Sequence, residues 1–115
     1  MSADCLFCKI ITGDIPADVV HRDAHVLAFR DIDPKAPTHI LVIPLEHTPN
    51  AASLAAADPA AVGELVQAAG RIAADEGIVE PGYRMVFNTG DDAGQTVHHT
   101  HLHLLGGRPF DWPPG

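Results

Sequence analysis

The chain has 115 residues, 46% of them apolar, and a formal charge of −8 with histidine neutral. That length is one domain, residues 1–115, with enough apolar content for one core. Seven lysines and arginines spread thinly along it exclude the basic footprint of a protein that binds nucleic acid or an anionic membrane, although phosphate held by backbone N–H groups stays open.

Met1-Ser2-Ala3-Asp4 carries no basic start and no apolar h-region follows, so no secretory signal is read there. The longest apolar run, Ile40–Ile43, is far short of a membrane span. A soluble, cytoplasmic protein is expected. Cys5 and Cys8 are the only cysteines, too few for a disulfide framework. The segment Cys5–Ile11 reads as a short helix or turn with an apolar face. Its Cys-x-x-Cys is half of a metal site or a redox pair. The redox reading expects a preceding strand, and only four residues precede Cys5.

Gly13–Pro16 is a turn. Asp18–Arg22 and His25–Ile32 read as an antiparallel hairpin turning at Asp23-Ala24. Asp31, at the end of its second strand, is either a strand-end cap or an acceptor for ligand hydroxyls. His39–Pro44 is the next strand, with Ile40–Ile43 as core. His47 lies in a polar loop, solvated or free to act as a ligand. The Ala-rich stretch from Ala51 to Ala61 is compatible with helix or loop. Asp58-Pro59 opens a helix as N-cap and first-turn proline. Val62, Leu65, Val66, Ala69, Ile72 and Ala73 then recur at helical steps, and Gly77 closes the helix after about 18 residues. Tyr83–Asn88 is a strand. Thr89–Thr96 contains Gly90 and Gly94, which permit either a plain hairpin loop or a concavity of N–H groups for an anion. The tail holds Trp112 and two prolines, and Trp112 is expected to dock on a surface.

Four of the eight histidines fall between His98 and His103. The stretch His98–Gly107 is apolar enough for a strand, ended by Gly106-Gly107. On a strand His99, His101 and His103 share one face, with neighbouring rings about 6.6 Å apart. Three imidazoles in a row are costly to bury without partners. The row is either a metal cage or a neutral imidazole nucleophile with orienting neighbours.

His99-Thr100-His101-Leu102-His103-Leu104-Leu105 resembles the His-φ-His-φ-His-φ-φ signature of the histidine triad (HIT) superfamily, with Thr100 at a normally apolar slot. Asp31–Pro34, Ala36–His39, Val42–Pro44, His47, Gly82–Arg84, Asn88-x-Gly90, Gly94–Val97 and the ending Gly106–Arg108 with Trp112–Gly115 look like its Hint branch. The resemblance covers nearly the whole chain. It implies an α+β HIT-like fold: an antiparallel sheet of about five strands, one long helix and a short N-terminal helix.

It also implies a purine nucleotide-binding hydrolase, a homodimer that cleaves nucleoside (adenosine) 5′-phosphoramidates through a nucleotidyl-histidine. His101 would be the nucleophile and His39 would orient it. His103, Gln95 and Thr96 would hold phosphate beside Gly94, and Asn88 would contact the phosphate or ribose. Asp31 would take the ribose hydroxyls, and Ile32, Leu6, Phe7, Phe29 and Leu41 would line the base pocket. Thr96, where serine is commoner, would be a proton relay to the leaving amine. Members with an N-terminal Cys-x-x-Cys resemble zinc-binding forms, which implies a structural zinc on Cys5, Cys8, His47 and His99. Three alternatives stand beside this: a nucleotide-binding interaction module with weak catalysis, a dinucleoside polyphosphate hydrolase, and a metalloenzyme with zinc on the three triad histidines.

Overall fold

Alternation along the middle strands decides how the chain folds. In a computed structural model describing residues 4–115, the elements run α1 (Leu6–Thr12), β1 (Val19–Arg22), β2 (Val26–Arg30), β3 (Thr38–Pro44), α2 (Ala51–Ala57), α3 (Pro59–Asp75), β4 (Tyr83–Phe87) and β5 (Leu102–Gly106). The strands form one five-stranded sheet in the order β1-β2-β3-β5-β4, antiparallel at every pairing. The expected α+β class is borne out. The hairpin, the short first helix and the long helix also form where the sequence places them, within a residue or two.

Successive side chains on a strand face opposite ways, so each middle strand feeds two cores. Val26, Ala28, Ile40, Val42, Leu102 and Leu104 pack with Leu65, Ala68, Ala69, Ile72 and Ala73 of α3. Leu27, Phe29, Leu41 and Ile43 face the other way and pack with Cys5, Phe7 and Cys8. Each fully buried Leu or Ile contributes about 1.5–3 kcal/mol, so both cores weigh in the fold. The α3 stripe is rotated from expectation: Val66 is exposed, and Ala68 takes its place against the sheet.

Two segments differ from the sequence reading. The Ala-rich stretch contains a separate helix, α2, started by the Asn50 side chain accepting from the Ser53 N–H. Its end, Asp58, then caps α3 by accepting from the Ala61 N–H. Alanine gives no apolar period, and Leu54 is the one side chain of α2 that is buried. The histidine stretch is also not a strand throughout, since β5 starts at Leu102. Before it, the Thr100 N–H donates to the Thr48 carbonyl at 2.7 Å and the two hydroxyls meet at 2.6 Å. His99 and His101 are therefore held by a loop clasp rather than a strand ladder, and the regular spacing expected along a strand does not apply to them.

The sheet leaves no room over Gly106. A Cβ there would lie 2.6 Å from Ile78 Cδ1 and 3.1 Å from Ile78 Cβ. Gly106→Ala should destabilise the protein by about 1–3 kcal/mol through overpacking. Adding Ile78→Val should restore part of that loss in urea denaturation. Equal midpoints for wild type and Gly106→Ala would contradict the packing.

Candidate active site and metal centre

On the sheet face away from α3, β3 and β5 bring His39 and His103 together, in a register that places Leu41 opposite His103 and Leu105 opposite His39. Backbone groups decide which nitrogen of each ring carries the proton, because an amide N–H only donates and a carbonyl only accepts. The Lys35 N–H donates to His39 Nδ1 at 3.0 Å, so neutral His39 carries its proton on Nε2. That Nε2–H donates to His103 Nδ1 at 2.9 Å, which leaves the proton of neutral His103 on Nε2. His101 is set in the opposite sense. Its Nδ1–H donates to the His99 carbonyl at 2.7 Å, so its Nε2 carries a lone pair. The His101 and His103 rings lie 5.0 Å apart, one presenting an acceptor nitrogen and its neighbour a donor.

Burial keeps these rings neutral. Desolvation is the largest cause lowering the pKa of His39, His101 and His103. For His103 the value falls to about 4, with the charges of His101 and His39 adding to the burial effect. Asp31, whose Oδ2 is 3.4 Å from His39 Nε2, opposes the shift at all three.

A cavity of about 270 Å³ opens in front of His101 and His103. Leu6, Phe7, Phe29, Leu41, Asp31, Ile32 and Thr96 line it. Ile32 stands at its mouth 99% exposed, an apolar side chain without cover from its own chain. The sequence reading missed Ile10, Ile15, Pro16, Ala17, Arg30 and Val97 on the same wall. Ile10 was findable, one helical turn from Phe7 on α1, whereas the approach of Pro16 and Ala17 is tertiary. Asn88 lies apart from this cavity. It lines a second one of about 420 Å³ with Arg84, Arg108 and Phe110, and His103, Asp31 and His39 border that space as well.

The glycine loop is built differently from expectation. The Gln95 amide oxygen accepts from the Gly90 N–H at 3.0 Å, and its NH₂ donates to the carbonyls of Pro49 and Val97. The Gln95 N–H donates to the Gly90 carbonyl. Its donors are engaged with Pro49, Val97 and Gly90, so Gln95 braces the loop and ties it to the segment after β3. Gly94 closes the short 3₁₀ turn Asp91–Ala93 at φ 84°. In the tail, Phe110 rather than Trp112 docks, with the Arg84 and Arg108 guanidiniums 5.1 and 4.3 Å from its ring. Trp112 is 83% exposed.

Behind the His101 ring sits a second cluster. Donor atoms of Cys5, Cys8, His47 and His99 all lie within 4.8 Å of one another. His99 Nδ1 is 3.4 Å from Cys5 Sγ, 3.6 Å from Cys8 Sγ and 3.2 Å from His47 Nδ1. Cys8 Sγ is 3.5 Å from His47 Nδ1. Four thiolate and imidazole ligands around one ion place neighbouring donors roughly 3.3–3.8 Å apart, so the set fits a metal. The tautomer fits too. His99 Nε2–H donates to the Pro44 carbonyl at 2.9 Å, which turns the Nδ1 lone pair toward the cysteines, the outer-shell pattern of a ligating histidine.

Asp31, His39 and His103 also bring donor atoms within 4.8 Å, but His39 Nε2 carries a proton there and has none of this preparation. Nor do the three triad rings converge on one point: His99 turns to the cysteines while His101 is tied to a carbonyl.

The HIT domain model matches residues 12–110, and this chain belongs to the HIT family, whose fold and histidine signature it carries. It is a homologue of a hydrolase in that family: it is 49% identical over 110 residues to the purine nucleoside phosphoramidase of Escherichia coli strain K12, covering 96% of this chain and 92% of that one. A HIT-like protein of Synechococcus elongatus is 53% identical over 115 residues, with both chains covered in full. The crystal structure of a HIT family hydrolase from Legionella pneumophila Philadelphia 1 superposes with a TM-score of 0.94 at 50% identity, covering 97% of this chain and 100% of that one.

The buried neutral rings set a pH dependence. His39 and His103 titrate below the unfolded imidazole value, so as pH falls the unfolded chain takes up protons first and gains on the folded one. This contribution is intact above about pH 6.5 and is lost as pH drops toward the His103 value of about 4. Urea midpoints should fall across that window, and His103→Asn should fall less steeply than wild type. Parallel curves would contradict the burial argument.

Proposed function

We propose that the protein hydrolyses purine nucleoside 5′-phosphoramidates, adenosine phosphoramidate among them, with His101 as nucleophile. The observation that carries this reading is the 2.7 Å hydrogen bond from His101 Nδ1–H to the His99 carbonyl, which leaves a lone pair on Nε2 at the edge of the cavity. Nε2 forms a bond to the α-phosphorus, the P–N bond breaks, and the amine leaves with a proton drawn from solvent, which the water of the second step gives back. The carbonyl supports the positive charge that develops on the ring. Water then attacks the phosphorus, releases the nucleoside monophosphate and restores the imidazole. Dividing the displacement into two steps lowers each barrier.

His103 Nε2–H, oriented through His39 and Lys35, supplies a donor to the phosphoryl oxygens. Thr96, exposed and lining the same cavity, passes the proton to the leaving amine through its hydroxyl. Asp31 accepts the ribose hydroxyls, and the purine lies among Phe7, Phe29, Leu41 and Ile32. Asn88 meets the phosphate from the second cavity.

The Cys₂His₂ set is read as a structural zinc site, since soft thiolates with imidazoles in a closed four-ligand arrangement suit that ion. It would supply cross-linking of α1 and the His47 loop, with no part in the reaction. A homodimer is inferred from β4, which ends the sheet as an open edge. The exposed Trp112 beside that edge would reach the partner's site. A chain truncated before Arg108 should show altered leaving-group preference, and unchanged kinetics across a set of amines would contradict that role.

Incubating the protein with adenosine phosphoramidate and quenching in acid should give a nucleotidyl adduct on His101 by mass spectrometry. His101→Ala should lose turnover by about 10³-fold or more while still binding AMP. Bound nucleotide with neither turnover nor adduct in the wild type would favour the interaction module. An adduct mapped to another residue would overturn the assignment.

A further inference from the structure

Each of the four cluster ligands has a close sequence neighbour that touches the His101 segment. Cys5 and Cys8 flank Phe7, which is 4% exposed and points its ring edge-on at His101, 5.1 Å between centroids, and at Phe29, 5.5 Å. His47 precedes Thr48, whose carbonyl accepts from the Thr100 N–H at 2.7 Å and whose hydroxyl meets that of Thr100 at 2.6 Å. His99 offers its ring to the cluster and its carbonyl to His101 Nδ1. Leu6, Phe7 and Ile10 of α1 also form one wall of the cavity before His101. Helix α1 is therefore shared between the two sites.

This sharing has an energetic consequence. With Nε2 of His99 bound to the Pro44 carbonyl, its Nδ1 lone pair faces His47 Nδ1 at 3.2 Å and two sulfurs within 3.6 Å. Without an ion only weak S–H···N and N–H···N hydrogen bonds hold this set, whereas one cation bound to all four donors draws it tighter. Any relaxation moves α1, and with it Phe7 and the cavity wall.

We propose that metal binding at Cys5, Cys8, His47 and His99 is thermodynamically linked to nucleotide binding at His101, with Phe7 as the positioning residue that transmits the linkage. The inference rests on the cavity being the nucleotide site and on the cluster holding zinc, as proposed above. When the four side chains are drawn onto one ion, they fix the Phe7 ring and the His99 carbonyl in the arrangement that nucleotide requires. Linkage is reciprocal, so nucleotide must tighten the ion by the same factor.

The test follows zinc rather than turnover. Zinc-loaded protein is titrated with a chromogenic chelator, with and without saturating AMP, and AMP affinity is measured by calorimetry on loaded and metal-free protein. AMP should lower the zinc dissociation constant about fivefold or more, with an equal change in AMP affinity on loading. Phe7→Ala should keep one zinc per chain yet reduce the linkage to less than about twofold, and Phe7→Leu should restore most of it.

AMP that binds the loaded protein without changing zinc affinity would overturn the inference while leaving the nucleotide site standing. So would full linkage in Phe7→Ala. A loaded protein that binds no AMP would instead remove the nucleotide reading, and this inference with it. A protein isolated without zinc and unable to take it up would remove the metal reading, and this inference with it. Circular dichroism of the metal-free chain should retain the folded spectrum; wholesale unfolding would overturn a linkage carried locally by Phe7.

Discussion

Backbone hydrogen bonds set the protons on three imidazoles directly and on a fourth through its neighbouring ring, and the chemistry of both sites depends on that arrangement. The Lys35 amide, the His99 carbonyl and the Pro44 carbonyl each bond one ring nitrogen, of His39, His101 and His99 respectively. His39 then passes the choice on to His103. The outcome is a donor ring beside an acceptor ring facing the cavity, and a second acceptor ring facing two thiols. A side-chain partner could titrate and reverse such a choice, whereas a backbone group does not. Three of the rings are buried and that of His103 is half-buried, which keeps them neutral in the range where a nucleophile or ligand needs its lone pair.

The sheet separates scaffold from chemistry. One face is fully occupied by α3, with Leu65, Ala68, Ala69 and Ala73 wholly buried against it. The other face carries the functional groups beneath the short helix α1. A bidentate pair, Arg30 Nη1 and Nη2 to Glu76 at 2.8 and 3.0 Å, ties the end of β2 near the cavity to the end of α3. The Thr48–Thr100 contact ties the loop of His47 to the segment bearing His101. Thr100 occupies a slot where the family signature has an apolar residue. Here its buried hydroxyl finds a partner in the half-buried Thr48, so the polar atom is accommodated rather than stranded.

Much of this was legible in the residues. Continuous apolar runs in Val26–Phe29 and Ile40–Ile43, and period-3.6 recurrence with an Asp-Pro start in α3, are local signals of burial, and the elements form there. The clustering of Cys5, Cys8, His47 and His99 followed from the family resemblance, and spacing alone left it open. What stayed hidden depends on contacts between distant segments. Alanines in α2 have no apolar rhythm to report. The start of β5 was placed too early because hydrophobic and histidine content resembles a strand, while the Thr48 carbonyl, 52 residues away, takes the Thr100 amide. The resemblance gives Gln95 to phosphate, and the folded loop adds what no local pattern reports, its amide bonded to Gly90, Pro49 and Val97.

The central claim is that fixed backbone partners leave His101 with a bare Nε2 and, through His39, leave His103 with a protonated one. Long-range ¹H–¹⁵N correlation spectra of the imidazoles at neutral pH report this directly. The account predicts His101 as the Nδ1–H tautomer, and His39, His99 and His103 as Nε2–H tautomers. A His101 ring protonated on Nε2, or rapidly exchanging between the two forms, would contradict it.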